Sequence, residues 1–206
     1  MMPIAYVLRQ DCQIILASTS AIRKEILSES GLKFKAIAPD FDEEKAKKSL
    51  KKLSAKEKSI ELACGKALSI SKKFPDYFVI GSDQICEING TEVSKSKNSP
   101  EAILQLKKLN SKSHNQNNAV VVAYKGKIIF KNFSKAKLQM RKLSEDEIKA
   151  YVKIDEAWGS SGSYKYESLG KYLFTKVSGD YHAILGFNIQ PLLNFFYSKK
   201  LVSIKL

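Results

Sequence analysis

Between Ile14 and Leu27 the chain passes from an apolar run straight into an amphipathic pattern, with only Ser18, Thr19 and Ser20 between them. Four apolar residues in succession, Ile14 to Ala17, read as a strand buried on both faces. Ile22, Ile26 and Leu27 then fall on one side of a helix, and Gly31 supplies its stop. Ser20 stands at the N-cap position, where a hydroxyl satisfies a free amide of the first turn. A strand that ends against a helix start gathers hydroxyls, unpaired amides, the positive end of a helix dipole and two cations, Arg23 and Lys24. Such a junction suits an anion, phosphate foremost. An ordinary capped helix with surface charges shows the same local pattern, so the rest of the chain has to decide.

The pattern repeats downstream without a linker, internal repeat or low-complexity tract. Phe34 to Ala38 reads as a short strand and Lys45 to Lys52 as helix or loop. Ser54 and Glu57 form a capping box that opens a helix towards Lys73, ending before Pro75. Tyr77 to Gly81 is an apolar strand. Ile85 to Val93 reads as a hairpin turned at Asn89-Gly90, and Ala119 to Tyr124 with Lys127 to Phe133 as a second hairpin around Lys125-Gly126. Ser99-Pro100-Glu101 starts a helix with proline in its first turn, and Ser144 with Glu147 is a second capping box, for a helix through Tyr151. Gly159 to Ser163 is a loop of small residues, Lys171 to Val177 a strand, and Pro191 to Tyr197 part of a last apolar helix. Hairpins interspersed with strand–helix units predict an α/β chain with a mixed sheet.

Composition narrows the function classes. The chain has 206 residues, enough for one domain or two small lobes. Its longest apolar run, Ala119 to Tyr124, is too short to span a bilayer. The N-terminus has no basic head followed by a long apolar stretch, so no signal peptide is expected. Three widely spaced cysteines, Cys12, Cys64 and Cys86, fit neither a disulfide framework nor a zinc pattern, and predict a reducing cytoplasm. With His114 and His182 alone, a histidine-rich metal centre is excluded; both are expected to be structural or exposed. The formal charge of +14 favours polyanionic partners. Yet the excess is nearly all lysine spread along the chain, without interleaved arginines and stacking aromatics, and reads as solvated faces rather than a nucleic-acid surface.

The second segment with chemical content is Val79-Ile80-Gly81-Ser82-Asp83-Gln84. An apolar strand here runs out into a glycine and a carboxylate, and ligands sit at such strand ends. Asp83 is a candidate to ligate a divalent cation or take a proton from water; a turn aspartate bonded to its own backbone is the competing reading. Lys95 or Lys97 offers phosphate a cation, and Asp42-Glu43-Glu44 adds carboxylates. There is no Walker-type glycine loop, dinucleotide fingerprint, HExxH or nucleophile elbow.

Together these segments resemble the Maf family of nucleotide pyrophosphatases over nearly the whole chain. LASTSAIRKEIL, starting at Leu16, is similar to the family's opening motif. Asp42-Glu43, the Ala63–Lys66–Ala67 helix, Gly81-Ser82-Asp83, Lys95 in SKSKNSPEA and the block from Gly162 to Leu193 follow in the family's order, while Leu109 to His114 is a degraded form of a later motif. The resemblance implies an elongated, twisted mixed β-sheet with helices packed on both faces, a Maf- and ITPase-like fold, over 1–206, with two lobes around a central cleft. It implies hydrolysis of a nucleoside triphosphate to the monophosphate and pyrophosphate with a divalent metal, Mg or Mn. By the same token Asp83 is the proton acceptor and Lys95 a second catalytic group. Ser18, Ser20, Arg23 and Lys66 bind phosphate, Glu43 and Asp83 hold the metal, and the protein is a homodimer.

Three positions tied to base choice in the family hold Ile22, Gln84 and Glu167. The thymidine- and uridine-triphosphate subgroup has arginine, threonine and glutamine there, so this set looks more like the 7-methyl-GTP subgroup. A carboxylate at Glu167 suits a guanine edge or a positively charged methylated purine. Ala21, Ile22 and Ser96 depart from the family's proline, arginine and proline, and the second change removes a cation. Two other readings follow from the same residues: a nucleotide-binding regulator of septum formation with little turnover, and, from charge alone, a basic nucleic-acid-binding protein. Retention of Arg23, Asp83 and Lys95 argues against a dead enzyme.

Overall fold

A computed structural model describes residues 8–204. The segment behind the signal-peptide expectation, residues 1–7, lies outside them. Seven strands form one mixed sheet in the order β3-β2-β4-β6-β7-β8, with β5 on β4. Next to its β3 edge lies β2 (Ile14–Ala17), parallel both to β3 (Lys35–Ile37) and to β4 (Phe78–Ile88). From β4 onward the sheet is antiparallel, through β6 (Ser113–Tyr124), β7 (Lys127–Met140) and β8 (Phe174–Ser178). The short β5 (Thr91–Val93) folds back on β4 across Asn89 and Gly90, both at positive φ as a two-residue hairpin requires. A separate pair joins β1 (Leu8–Gln10) to β9 (Val202–Ile204).

Helices cover both faces. Alternate residues of the central strands point to opposite sides. Ile15, Ala17, Val79, Ala119 and Val121 meet Ala63, Cys64, Ala67 and Ile70 of α3 (Ala55–Ser71) on one side. On the other, Ile14, Leu16, Ile80 and Val120 meet Ile26 and Leu27 of α1 (Ala21–Glu29) and Leu192, Phe195 and Phe196 of α7 (Ile189–Ser198). The outer strands build a further core with α4 (Ser99–Leu109) and α5 (Glu145–Asp155), around Leu106, Leu138, Met140 and Val152. Two short helices complete the set, α2 (Glu43–Ser49) and α6 (Tyr181–Ile184). No helix among the described residues is long and apolar enough to cross a membrane.

Several expectations need correction. Tyr77 to Gly81 is not a whole strand: β4 continues through Gly81, Ser82 and Asp83 to Ile88. Asp83 is therefore a mid-strand residue, neither a strand end nor a turn. β6 and β7 are longer than their apolar runs because the polar stretch from Ser113 to Asn118 is paired on both sides. Lys171 to Val177 divides into a 3-10 helix, Leu169–Leu173, and β8.

What positions the site is a gap in pairing. β2 runs beside β4 only as far as Leu16↔Ile80, and β5 begins at Cys86↔Val93. Between them residues 81–85 of β4 have no strand on that edge. Gly81 lets α3 lie close here, because a Cβ would run into the Ala63 carbonyl and Ala67. Gly65 of α3 likewise admits the ring of Phe41, which holds the start of α2 beside α3. Gly81→Ala must push α3 off the strand, and overpacking of this kind costs about 1–3 kcal/mol. Urea unfolding should show that loss with an unchanged slope against denaturant.

Candidate active site

The open edge of β4 borders a cleft of about 350 Å³. Ten of the residues singled out in the sequence line it: Ser18, Ser20, Ile22, Arg23, Glu43, Lys66, Asp83, Gln84, Lys95 and Glu167. Lys24 and Lys97 do not.

Period-two alternation divides the cleft. Asp83 shares its face with Gly81 and points towards α3, where Lys66 Nζ donates to Asp83 Oδ1 at 2.6 Å and reaches Glu43 Oε2 at 2.8 Å. Lys47 holds the other Glu43 oxygen at 2.8 Å. Asp83 is buried, and burial raises its pKa against the pull of Lys66 and Arg23. Burial also works on Glu43, but there Lys66 and Lys47 prevail and hold the pKa down at about 2.

The strand–helix junction behaves differently from expectation. Ser20 occupies the N-cap position, but its hydroxyl caps nothing; its own amide donates to Ser18 Oγ at 3.2 Å. The first turn of α1 thus faces the cleft without a side-chain cap. Arg23 donates from Nη1 to the Ser82 carbonyl (2.8 Å) and from Nε to Gly186 (3.1 Å). These bonds lock the guanidinium across the open edge of β4. Its pKa is lowered by burial against the pull of Asp83 and Glu43. Lys95 stands at the mouth of the cleft, where desolvation by the walls, then the Arg23 cation, lowers its pKa.

On the opposite face Gln84 gives both amide hydrogens to carbonyls, of Ala183 (3.1 Å) and Ile184 (2.7 Å). Glu167 lines this end beside Tyr164 and Tyr166, and burial raises its pKa. Its loop is fixed to α5 by Ser168 Oγ on Asp155 Oδ1 (2.6 Å) and by the Lys165 amide on Tyr151 Oη (2.9 Å). Ser96, where the family has proline, is buried with its hydroxyl 2.8 Å from that of Ser163.

Sequence reasoning missed Lys47 and Gln116. Lys47 was legible as the i+4 partner of Glu43 on a helix. Gln116 lies in a polar stretch that carried no strand signal, and its partners are distant in the chain.

Donor types also decide whether a divalent metal fits. Glu43 and Asp83 offer hard oxygens around one cation position, where Lys66 already places positive charge. Among the described residues no group of three or more His, Cys, Asp or Glu could hold a metal ion. The set suits an ion that draws its remaining oxygens from phosphates and water, as magnesium commonly does.

Comparison with known proteins places the chain in a family. The family described as Maf-like protein matches residues 13–198. A nucleoside triphosphate pyrophosphatase of Nitrobacter hamburgensis is 38% identical over 198 residues, covering 95% of this chain and 98% of that one. Another, of Legionella pneumophila, is 34% identical over 195 residues, covering 95% and 98%. A HAM1 protein structure from Coxiella burnetii gives a TM-score of 0.43 at 15% identity, over 63% of this chain and 73% of that one. The chain belongs to the Maf-like family.

His114 is neither exposed nor near the reacting groups. It is buried behind the cleft with Nε2 2.9 Å from Tyr164 Oη, and burial lowers its pKa to about 4. The unfolded chain, with a histidine pKa of about 6.5, binds the proton first as pH falls. Its contribution to stability is therefore lost between about pH 6.5 and pH 4. From pH 7 to pH 5 the wild type should lose roughly 2 kcal/mol more than His114→Gln, measured by urea unfolding at the two pH values.

Proposed function

We propose that the cleft hydrolyses a nucleoside triphosphate between the α and β phosphates, releasing the monophosphate and pyrophosphate. One observation carries the reading: a buried lysine, Lys66, joins two carboxylates, Asp83 and Glu43, beside the uncapped start of α1. Asp83 Oδ1 is taken by Lys66, and its second oxygen accepts no protein hydrogen bond among the described residues. That oxygen is the acceptor for the proton of the attacking water, and a raised carboxyl pKa brings it nearer the range of a working base. Arg23, Lys66 and Lys95, with Ser18, Ser20 and the first amides of α1, bind the phosphate chain. They stabilise the charge that builds on the phosphoryl oxygens and on the leaving pyrophosphate.

Four basic side chains line the cleft (Arg23, Lys47, Lys66 and Lys95), against four acidic ones (Glu43, Asp83, Glu92 and Glu167). The overall excess of lysine is thus not focused here, and a polyanionic triphosphate needs further positive charge. A bound divalent ion, magnesium or manganese, held through Glu43 and Asp83, supplies that charge and polarises the phosphate.

For the base, Ile22, Gln84 and Glu167 support a purine, with 7-methyl-GTP the favoured substrate. A homodimer in the cytoplasm completes the reading. Ile154 and Tyr172, each about two-thirds exposed, supply apolar surface for a partner copy, and the described cysteines are unpaired.

Pyrophosphate release should be measured with magnesium or manganese over ordinary and methylated nucleoside triphosphates. Asp83→Asn should lower kcat by about 10²–10⁴-fold, the usual weight of a positioned base, while nucleotide still binds. Wild-type protein that binds nucleotides and turns none over would favour the regulator of division instead. Gln84→Thr combined with Glu167→Gln should move kcat/KM towards pyrimidine nucleotides; an unchanged order of substrates would refute the assignment of base choice to these two residues.

A further inference from the structure

Gln116 of β6 is 1% exposed and lines the base end of the cleft. Its Nε2 donates to the Ser161 carbonyl at 2.9 Å and to Tyr164 Oη at 2.8 Å. A carbonyl only accepts, so the nitrogen must face Ser161 and the amide cannot be turned round. Its Oε1 is buried and has no hydrogen-bond partner among the described residues. Buried amide oxygens in folded proteins are almost always paired, and this one, on a residue lining the cleft, is free to accept from a bound ligand or a water.

Gln84 repeats the arrangement. Its two amide hydrogens go to Ala183 and Ile184, so what it has left to offer is an acceptor. Ser161 gives its hydroxyl hydrogen to the Gln84 carbonyl at 3.3 Å. With the Glu167 carboxylate, Gln84 and Gln116 give this end of the cleft three side-chain acceptors, beside the hydroxyls of Ser160 and Tyr166. An acceptor wall selects a base with adjacent N–H donors. Guanine carries a ring N–H next to an amino group, whereas uracil and thymine place one N–H between two carbonyls.

We propose that Gln116 is a specificity-determining residue whose side-chain oxygen accepts a hydrogen bond from the N–H edge of a guanine-type base. The inference rests on reading the cleft as a nucleoside triphosphate pyrophosphatase site.

The test compares kcat/KM for GTP, for inosine triphosphate, which lacks the amino group, and for N1-methyl-GTP, which lacks the ring N–H. Gln116→Met keeps length and apolar bulk but removes the acceptor. In the variant, the preference for GTP over at least one analogue should collapse by about tenfold, the weight of one hydrogen bond, with that analogue's own kcat/KM unchanged. Both preferences intact, or a parallel fall for all three nucleotides, would overturn the assignment and leave Gln116 a packing residue. Should Gln116→Met not fold, a crystal structure of the wild type with α,β-imido-GTP decides. A base nitrogen within 3.5 Å of Gln116 Oε1 supports the proposal. A triphosphate seated at Asp83 and Lys95 with the base elsewhere, or with only water on that oxygen, defeats it alone. A triphosphate bound away from Asp83 would defeat the reading of the cleft itself.

Discussion

At one point a helix lies so close to a strand that only glycine and alanine meet there. At Gly81, β4 meets Ala63 and Ala67 of α3, and the side chains on either side of that contact inherit its precision. Lys66 lies between the two alanines in sequence, and Asp83 is two residues along β4 on the same face. Their 2.6 Å bond follows from the helix–strand distance more than from any flexible reach of lysine. Because Gly65 similarly seats Phe41, the same helix also fixes Glu43 at the start of α2. One close packing therefore places both carboxylates and the cation between them.

Burying that trio is expensive. Removing an ammonium and a carboxylate from water costs several kcal/mol per ion, and the attraction between them repays it only with good geometry. The two carboxyl groups respond in opposite directions. Glu43, with two lysines and partial contact with solvent, is held at a pKa of about 2, whereas the more deeply buried Asp83 is raised. Two acids on one lysine thus acquire different characters, from deeper burial at Asp83 and from a second lysine, Lys47, at Glu43. One is a fixed negative charge and the other a group closer to accepting a proton, a division of roles that a hydrolytic site needs.

Much of this was legible in the sequence, because its signals are local. The capping boxes at Ser54 and Ser144 form with both reciprocal bonds, and Asn89-Gly90 and Lys125-Gly126 turn as positive-φ hairpins. The motif residues from Ser18 to Glu167 converge on one cleft. What was not legible depends on contacts distant in the chain. Glycine and aspartate read as strand breakers at 81–83, yet β6 pairs with them continuously. The stretch from Ser113 to Asn118 falls outside the predicted hairpin because it is polar. It is a strand because its buried groups find partners on other elements: Asn118 on Ser82 and Asp83, Gln116 on Ser161 and Tyr164, and His114 on Tyr164. Ser20 is the opposite case, since the cap its position promised is not made.

The departures from the family pattern have physical counterparts here. With Ile22 in place of arginine, Arg23 is the α1 cation that lines the cleft, and two backbone carbonyls hold it rigidly. Ser96 makes a bond that proline cannot: its hydroxyl ties to Ser163, which bonds Gln105 Oε1. Its carbonyl takes the Gly159 amide at 2.8 Å, as any residue's could. Proline stiffens a loop by fixing φ within its own residue, whereas this serine joins the segment carrying Lys95 to the loop carrying Ser160 and Ser161. The segment carrying Lys95 and the loop at the other end of the cleft are thereby joined through a buried hydroxyl and a backbone bond. Asp83 and Gln84 couple the same two ends differently, as neighbours on one strand that point to opposite faces. On the proposed function, chemistry on one side of the sheet and recognition on the other share a single stretch of backbone, and the position of one fixes that of the other.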